Sequence, residues 1–443
     1  MTPQRHLTLR IVVSIVGAAL LLGGLFADTL GLSASGTSTG PFLIMLVGGF
    51  MLLVGLLGKN FASFYKGLGL ILLNTLVFIL LIEIGFGVIA KLISAEDEPE
   101  VTGWRSLSYY HDKEWGNAYW DEDNISREFV YDPFVGWKSP MMQGSQITVN
   151  EARHRVTPGA DCRADSYTVF VFGGSTIFGT GSPDWGTIPA YLQERLSTRT
   201  DRPVCVVNFG QLGHVAAQEE IELMRQLQVG NIPDVVIFYN GVNDVYSAYL
   251  YGTTYSVYGL EDIAAKFNGT IPEESLWDKL VNELQDNSYT YKVIKSFSDN
   301  TEEPSARSEE ETRNTYTKRG LTADVLADEI VENVSDIHNH VLRLSEIYGF
   351  DFIHIWQPLL LLGEKPLAEE ERIHIETAEP TMLALYHAVY QRMETASLEN
   401  FYVVTDVFDG IEAFIYIDRF HLVPEGNELV AARILSLLQD KLP

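Results

Sequence analysis

The 443-residue chain predicts an α/β domain, a parallel sheet covered by helices on both faces, preceded by a membrane segment of three helices. Two observations carry the first part. From Tyr167 onward, short runs rich in β-branched and aromatic residues alternate with longer stretches of helical periodicity. The runs are almost wholly apolar, as strands buried between two helical layers are. The third observation concerns the first quarter of the chain: residues 11–27 and 41–58 carry no charge, and 67–90 carry only Glu83.

At about 1.5 Å per residue each apolar run crosses most or all of a hydrocarbon core roughly 30 Å thick. Arg5 and Arg10 precede the first run, Lys59 and Lys66 lie between the second and third, and residues 28–40 hold neither residue type. The N-terminus is therefore expected in the cytoplasm and everything after the third helix outside it, although Lys91 weakens the asymmetry. A cleaved signal peptide in place of the first helix is the alternative; Arg10 is followed by no convincing cleavage site and by two more spans. Glu83 is an ionisable group inside a span, a functional candidate by position. The simpler expectation places it near the outer interface, partly hydrated.

Residues 1–94 thus form the membrane domain, 95–160 a connector and small cap, and 161–443 the main domain with an insertion at 245–320. The membrane domain holds five Lys or Arg and two Asp or Glu, leaving 26 and 57 for residues 95–443, a net charge of −31. Such a domain repels nucleic acid and anionic lipid headgroups. Cys162, just before the first strand, and Cys205, inside the second, are the only cysteines. A disulfide between them is chemically permitted outside the cytoplasm; two separate thiols are the alternative.

In order, the cap carries Trp104, Trp115, Trp120 and Trp137, with short strands in 129–137 and 146–149, and no chemistry is assigned to it. Strands follow at 167–172, 204–208, 234–239, 351–356 and 401–405. Helices are expected near 187–196, 217–228 and 380–396, and at 322–348 and 424–438. The helix at 322–348 has Leu326, Ile330, Val334, Ile337, Val341 and Leu344 on one stripe. The last opens on Pro424, where a missing N–H does no harm. The insertion begins with Tyr246, Tyr249, Tyr251, Tyr255 and Tyr258 and ends in the polar run 298–319, expected to be disordered. Loop packing is the simpler role for the tyrosines; a stacking platform or cover for a site is the alternative.

The chemistry centres on the first strand's exit. Gly173 and Gly174 allow a tight turn, and Ser175 follows where a helix begins, at the carboxyl end of the strand. Alone, this is an ordinary strand-to-helix turn with Ser175 as a helix cap. The Gly-x-Ser-x-Gly elbow does not fit, because Ile177 occupies its last glycine position. Three further fragments lie past strand ends or near the C-terminus: 208–213 with Asn208 and Gly213, 241–244 with Asn243, and 418–421 with Asp418 and His421. Each alone reads as a turn or a surface pair.

Together and in this order they resemble the SGNH (GDSL-like) hydrolase family, over about 165–435. The resemblance implies a flavodoxin-like parallel sheet, with Ser175 as nucleophile, His421 as base and Asp418 as its orienting acid. The backbone N–H groups of Ser175 and Gly213 and the amide of Asn243 would form the oxyanion hole. A serine hydroxyl needs such a base, and an ester carbonyl under attack needs such donors. Gly174 departs from the family's commoner aspartate, which loosens the family name as a guide to substrate. His214 beside Gly213 is expected to be an exposed loop histidine, with substrate contact the alternative. His338 and His340 do not share a helix face. No phosphate loop, His-Glu-x-x-His or cysteine cluster is present. No cofactor or metal is expected.

The expected activity is that of a membrane-anchored, extracytoplasmic serine esterase or deacylase acting on an acyl ester of a small molecule, glycan or lipid. The partners expected are that substrate and the lipid bilayer, with no nucleic acid. An acyltransferase modifying an envelope glycan and a catalytically silent binding domain are the alternatives.

Overall fold

The computed structural model describes residues 3–26, 39–57, 61–93, 103–269, 288, 290–291 and 315–441. The chain divides into two compact units, Met1–Glu100 with Glu261–Glu310, and Val101–Leu260 with Glu311–Pro443.

The first unit contains α1 (Pro3–Leu25), α2 (Thr39–Leu57) and α3 (Phe61–Ile93). Small residues let α1 and α2 touch through their backbones: a Cβ on Gly17 would lie 2.8 Å from Gly48 O. Arg10 of α1 donates to Gly55 O (3.1 Å) and Leu56 O (2.7 Å), filling carbonyls at the end of α2 that have no helical partner. Among the described helices one window, Gly69–Gly87 in α3, is long and apolar enough to cross a membrane; Arg10–Leu25 and Ile44–Leu56 are shorter. At about 1.5 Å per residue those two reach roughly 24 and 20 Å, short of a core about 30 Å thick. The helices α1 and α2 themselves run 23 and 19 residues, and among the described residues one of the three expected spans, that in α3, meets both length and hydropathy. Glu83 is half-buried, and its Oε2 accepts hydrogen bonds from Ser288 Oγ (3.0 Å) and Thr290 N (3.2 Å).

The second unit opens with the cap: α4 (Ser108–His111), α5 (Gly116–Ser126), and two short antiparallel pairs. These are β1 (Val130–Asp132) with β2 (Gly136–Lys138), and β3 (Met142–Gln143) with β4 (Thr148–Val149). The main sheet follows: β5 (Tyr167–Gly173), β6 (Val204–Asn208), β7 (Val235–Asn240), β8 (Asp351–Trp356) and β9 (Phe401–Val403). All five pair in parallel, in the order β6-β5-β7-β8-β9. Numbered from β5, this is the flavodoxin-like order 2-1-3-4-5, whose direction of winding reverses at β5.

Alternate side chains explain the double cover. Val169, Val171, Val235 and Ile237 point to one face, packed by α7 (Ile188–Ser197) and α14 (Pro424–Leu437). Phe170, Phe172, Val236 and Phe238 point to the other, packed by α8 (Ala216–Gln228) and α11 (Ala323–Tyr348). In chain order this unit also holds α6 (Ser175–Phe178), α9 (Val242–Tyr251), α12 (Glu369–Glu376) and α13 (Pro380–Thr395), whereas α10 (Leu260–Phe267) falls, beyond Leu260, in the first unit. Cys162 and Cys205 form a disulfide that ties the entry to β5 onto β6.

The stretch from residue 245 does not start as an insertion. Val245, Ala248, Tyr249 and Leu250 are buried at helical spacing, so α9 runs to Tyr251. Residues 298–314 of the expected disordered run lie outside the described residues. Its end is ordered: Tyr316–Arg319 form a 3-10 turn, with Tyr316 buried and its hydroxyl donating to Thr381 O at 2.9 Å.

Candidate active site

β5 delivers Ser175 through two glycines with no room for side chains. A Cβ on Gly173 would lie 2.9 Å from Tyr239 O, and one on Gly174 would fall on the Asn243 carboxamide, 3.2 Å from its Cγ. Ser175 is the first residue of α6, so its N–H has no acceptor inside the helix. Asn208, at the end of β6, donates to Ile177 O (2.9 Å) and accepts from Gly210 N (2.8 Å), fixing the second motif loop against α6.

Asp418 and His421 sit on a turn closed by the antiparallel bridge between Tyr416 and Leu422. His421 Nε2 lies 2.7 Å from Ser175 Oγ, and His421 Nδ1 lies 2.6 Å from Asp418 Oδ2. An ionised carboxylate only accepts, which assigns the ring proton to Nδ1 and leaves Nε2 to accept from the Ser175 hydroxyl. Asp418 Oδ1 accepts from the backbone N–H groups of Phe420 (2.8 Å) and His421 (2.7 Å). Burial alone would raise this carboxyl; the His421 ring and those hydrogen bonds outweigh it and hold Asp418 below the ordinary carboxylate value.

Asn243 is the second residue of α9, after Gly241 at φ 128°, where a Cβ would lie 3.0 Å from the Trp356 ring. Its Nδ2 donates to His214 O at 2.8 Å, and the amide's second N–H remains. Gly213 follows β6 with φ 76° and is half-buried. All three motif loops thus meet at the carboxyl ends of β5, β6 and β7, beside the switch in strand order.

His214 is not the exposed residue its loop position suggested. It is 3% exposed, and its Nε2 donates to Trp137 O at 2.9 Å. Burial pushes its pKa down to about 4, so the ring is neutral and serves the site through its backbone carbonyl. His338 is buried with its Nδ1 3.3 Å from His354 Nδ1, whereas exposed His340 meets Glu220 at 3.1 Å. Among the described residues no group of three or more His, Cys, Asp or Glu is arranged to hold a metal. Of the five tyrosines, Tyr249 is buried and Tyr255 is 87% exposed, while Tyr258 reaches the site edge with its Cβ 3.6 Å from where a Gly213 Cβ would stand.

Sequence reasoning missed several supports. Buried Arg155 donates to the carbonyls of Phe178, Gly179 (both 2.9 Å) and Ser182 (2.7 Å) and pairs with Asp184, clamping the chain just after α6. Glu371, fully buried, accepts from Ile415 N and Tyr416 N at 2.9 Å and from Lys365 Nζ at 2.6 Å. It anchors the turn that presents Asp418 and His421. Glu371 stands in the run Glu369–Glu371, which reads as a solvated helix start, and no local signal marks it. Trp104 packs on the His421 ring at 5.3 Å between centroids.

The family model described as GDSL-like Lipase/Acylhydrolase matches residues 169–434, well over half of the chain and all four motif blocks. The chain belongs to the GDSL-like lipase/acylhydrolase family. This GDSL-like chain is an ester-hydrolysing serine hydrolase. Among solved structures it is similar to the acetyl xylan esterase AlAXEase, at 15% identity over 61% of this chain and 98% of that one, with a TM-score of 0.33. It is also similar to TesA (13% identity, 62% of this chain and 99% of that one, TM-score 0.32). A third is the lipase/acylhydrolase from Enterococcus faecalis (15% identity, 62% and 97%, TM-score 0.31). No curated protein matches the chain. At Gly174, the departure from the GDSL-like pattern, an added Cβ would meet the Asn243 carboxamide.

Proposed function

We propose that the chain is a membrane-anchored, extracytoplasmic serine esterase that removes an acyl group from a small-molecule, glycan or lipid ester through Ser175, His421 and Asp418. The observation that carries the reading is the continuous relay from Ser175 Oγ to His421 to Asp418, at 2.7 and 2.6 Å. As Ser175 Oγ attacks the ester carbonyl, His421 Nε2 takes its proton and Asp418 stabilises the resulting imidazolium. Charge developing on the carbonyl oxygen meets the N–H groups of Ser175 and Gly213 and the free N–H of Asn243. His421 then gives its proton to the leaving alcohol, and a water activated by the same ring releases the acid.

Three features support the location: the Lys/Arg asymmetry of the first 94 residues, the apolar window Gly69–Gly87, and the Cys162–Cys205 disulfide, a bond that persists in oxidising compartments. The test uses the full chain in detergent with a short-chain chromogenic ester. Turnover that disappears in Ser175→Ala supports the esterase. Acyl transfer to an added glycan without hydrolysis would replace it with a transferase, and turnover that survives in Ser175→Ala would end the assignment.

A further inference from the structure

The cap packs on Phe178, Leu212 and Ile417, around the active site. Trp104 lies outside residues 169–434, yet its ring meets His421 in a T-shaped contact, with centroids 5.3 Å apart and planes at 68°. Phe420 packs on the same imidazole at 4.5 Å. Trp104 is itself braced. It sits in the 3-10 turn Gly103–Ser106, where Arg105 donates to Asn117 Oδ1 (3.1 Å) and Asp121 Oδ1 (2.6 Å) of α5. Trp120 packs beside its ring at 5.9 Å, and the Arg127 guanidinium stands 5.5 Å from the ring centre, tied to Asp123 at 2.7 Å. The same cap grips the segment after α6: Tyr110 donates to Gly181 O (2.8 Å), and the Tyr119 hydroxyl accepts from Gly181 N (2.6 Å).

The need for such a brace follows from the chemistry. His421 carries a proton from Ser175 to a leaving group, so its ring must keep one orientation through both transfers. Asp418 fixes only Nδ1, which leaves the ring free to tilt about that hydrogen bond. A rigid aromatic neighbour in edge-to-face contact blocks the tilt and keeps water off the ring. We propose that Trp104 is a positioning residue for His421, so that the cap completes an active site whose relay lies wholly in the family domain.

The test measures kcat and KM for a chromogenic acetyl ester, and the rate of Ser175 labelling by a fluorophosphonate, on the full chain in detergent. Trp104→Ala is expected to lower kcat and the labelling rate together by about ten- to hundredfold, the cost of a misplaced catalytic group, with KM nearly unchanged. Trp104→Phe is expected to recover most of both, because it restores an aromatic ring. Trp104→Leu keeps apolar bulk for folding without the ring and is expected to stay slow. Wild-type kcat in the Leu variant overturns the proposal, as does a raised KM with kcat retained, which would make Trp104 a wall of the substrate path. Turnover in wild type that survives Ser175→Ala counts against the esterase assignment; normal labelling in the Trp104 variants counts against Trp104 alone.

Discussion

Gly174→Ala is expected to disable the site without changing any group of the relay. The added methyl would occupy the place of Asn243 Nδ2 and stand 3.2 Å from Asn243 Cγ. Asn243 has a short side chain, and His214 O holds its amide at 2.8 Å, so the carboxamide must leave both that bond and the oxyanion position. Losing the bond costs about 1 kcal/mol of stability. Losing the donor costs about 100- to 1,000-fold in kcat, roughly 2.7–4 kcal/mol of barrier. The assay is chromogenic ester turnover in the single variants and the double variant, with urea unfolding alongside. In the Asn243→Ala background the space is already empty, so adding Gly174→Ala is expected to cost less than about threefold more. Equal costs of Gly174→Ala in both backgrounds, or a single variant within twofold of wild type, would refute the steric reasoning.

Other outcomes follow from neighbouring contacts. Asp418→Asn is expected to lower kcat by roughly 10,000-fold with the fold intact, because the ring then loses the acceptor that fixes its tautomer. Burial and nearby Lys138 push the His154 pKa down to about 4, below its unfolded value, so this group favours the folded state above pH 6.5 and loses that contribution as pH falls toward 4. Between pH 7.5 and 4.5 the loss is about 2–3 kcal/mol, read as the difference in pH dependence of urea unfolding between wild type and His154→Phe. Reducing the Cys162–Cys205 bond, which closes a loop with a sequence separation of 43, is expected to cost about 4 kcal/mol by loop entropy and to leave kcat unchanged when assayed well below the melting temperature. Glu371→Leu strands the buried Lys365 ammonium, 2.6 Å from the carboxylate it loses, and is expected to destabilise by about 3–5 kcal/mol with a fall in kcat, seen in paired unfolding and turnover measurements.

The parts legible in the sequence are those whose signal is local. β5, β6 and β7 are mostly apolar runs with no competing pattern, and α11 shows its stripe directly, although Thr322, read as its first residue, caps it by accepting from Val325 N. The four motif fragments were readable because their chain order, three past strand ends and one near the C-terminus, matches the family pattern. What stayed hidden depends on contacts between distant segments. α9 looked like loop because its tyrosines resembled surface aromatics, whereas Val245, Ala248 and Tyr249 bury against α11 and α13. His214 looked exposed because nothing near it announces Trp137 O, 77 residues away. Arg155 and Glu371 are charged residues that hold backbone groups as well as one charged partner each, and backbone partners leave no trace in composition.

The most direct measurement is mass spectrometry of the protein quenched during turnover of an acetyl ester. One acetyl group on the peptide containing Ser175, absent in Ser175→Ala and accumulating more slowly in Asp418→Asn, is the expected result. Steady ester turnover with no acyl group on that peptide, or with the group on another side chain, would contradict the nucleophile assignment.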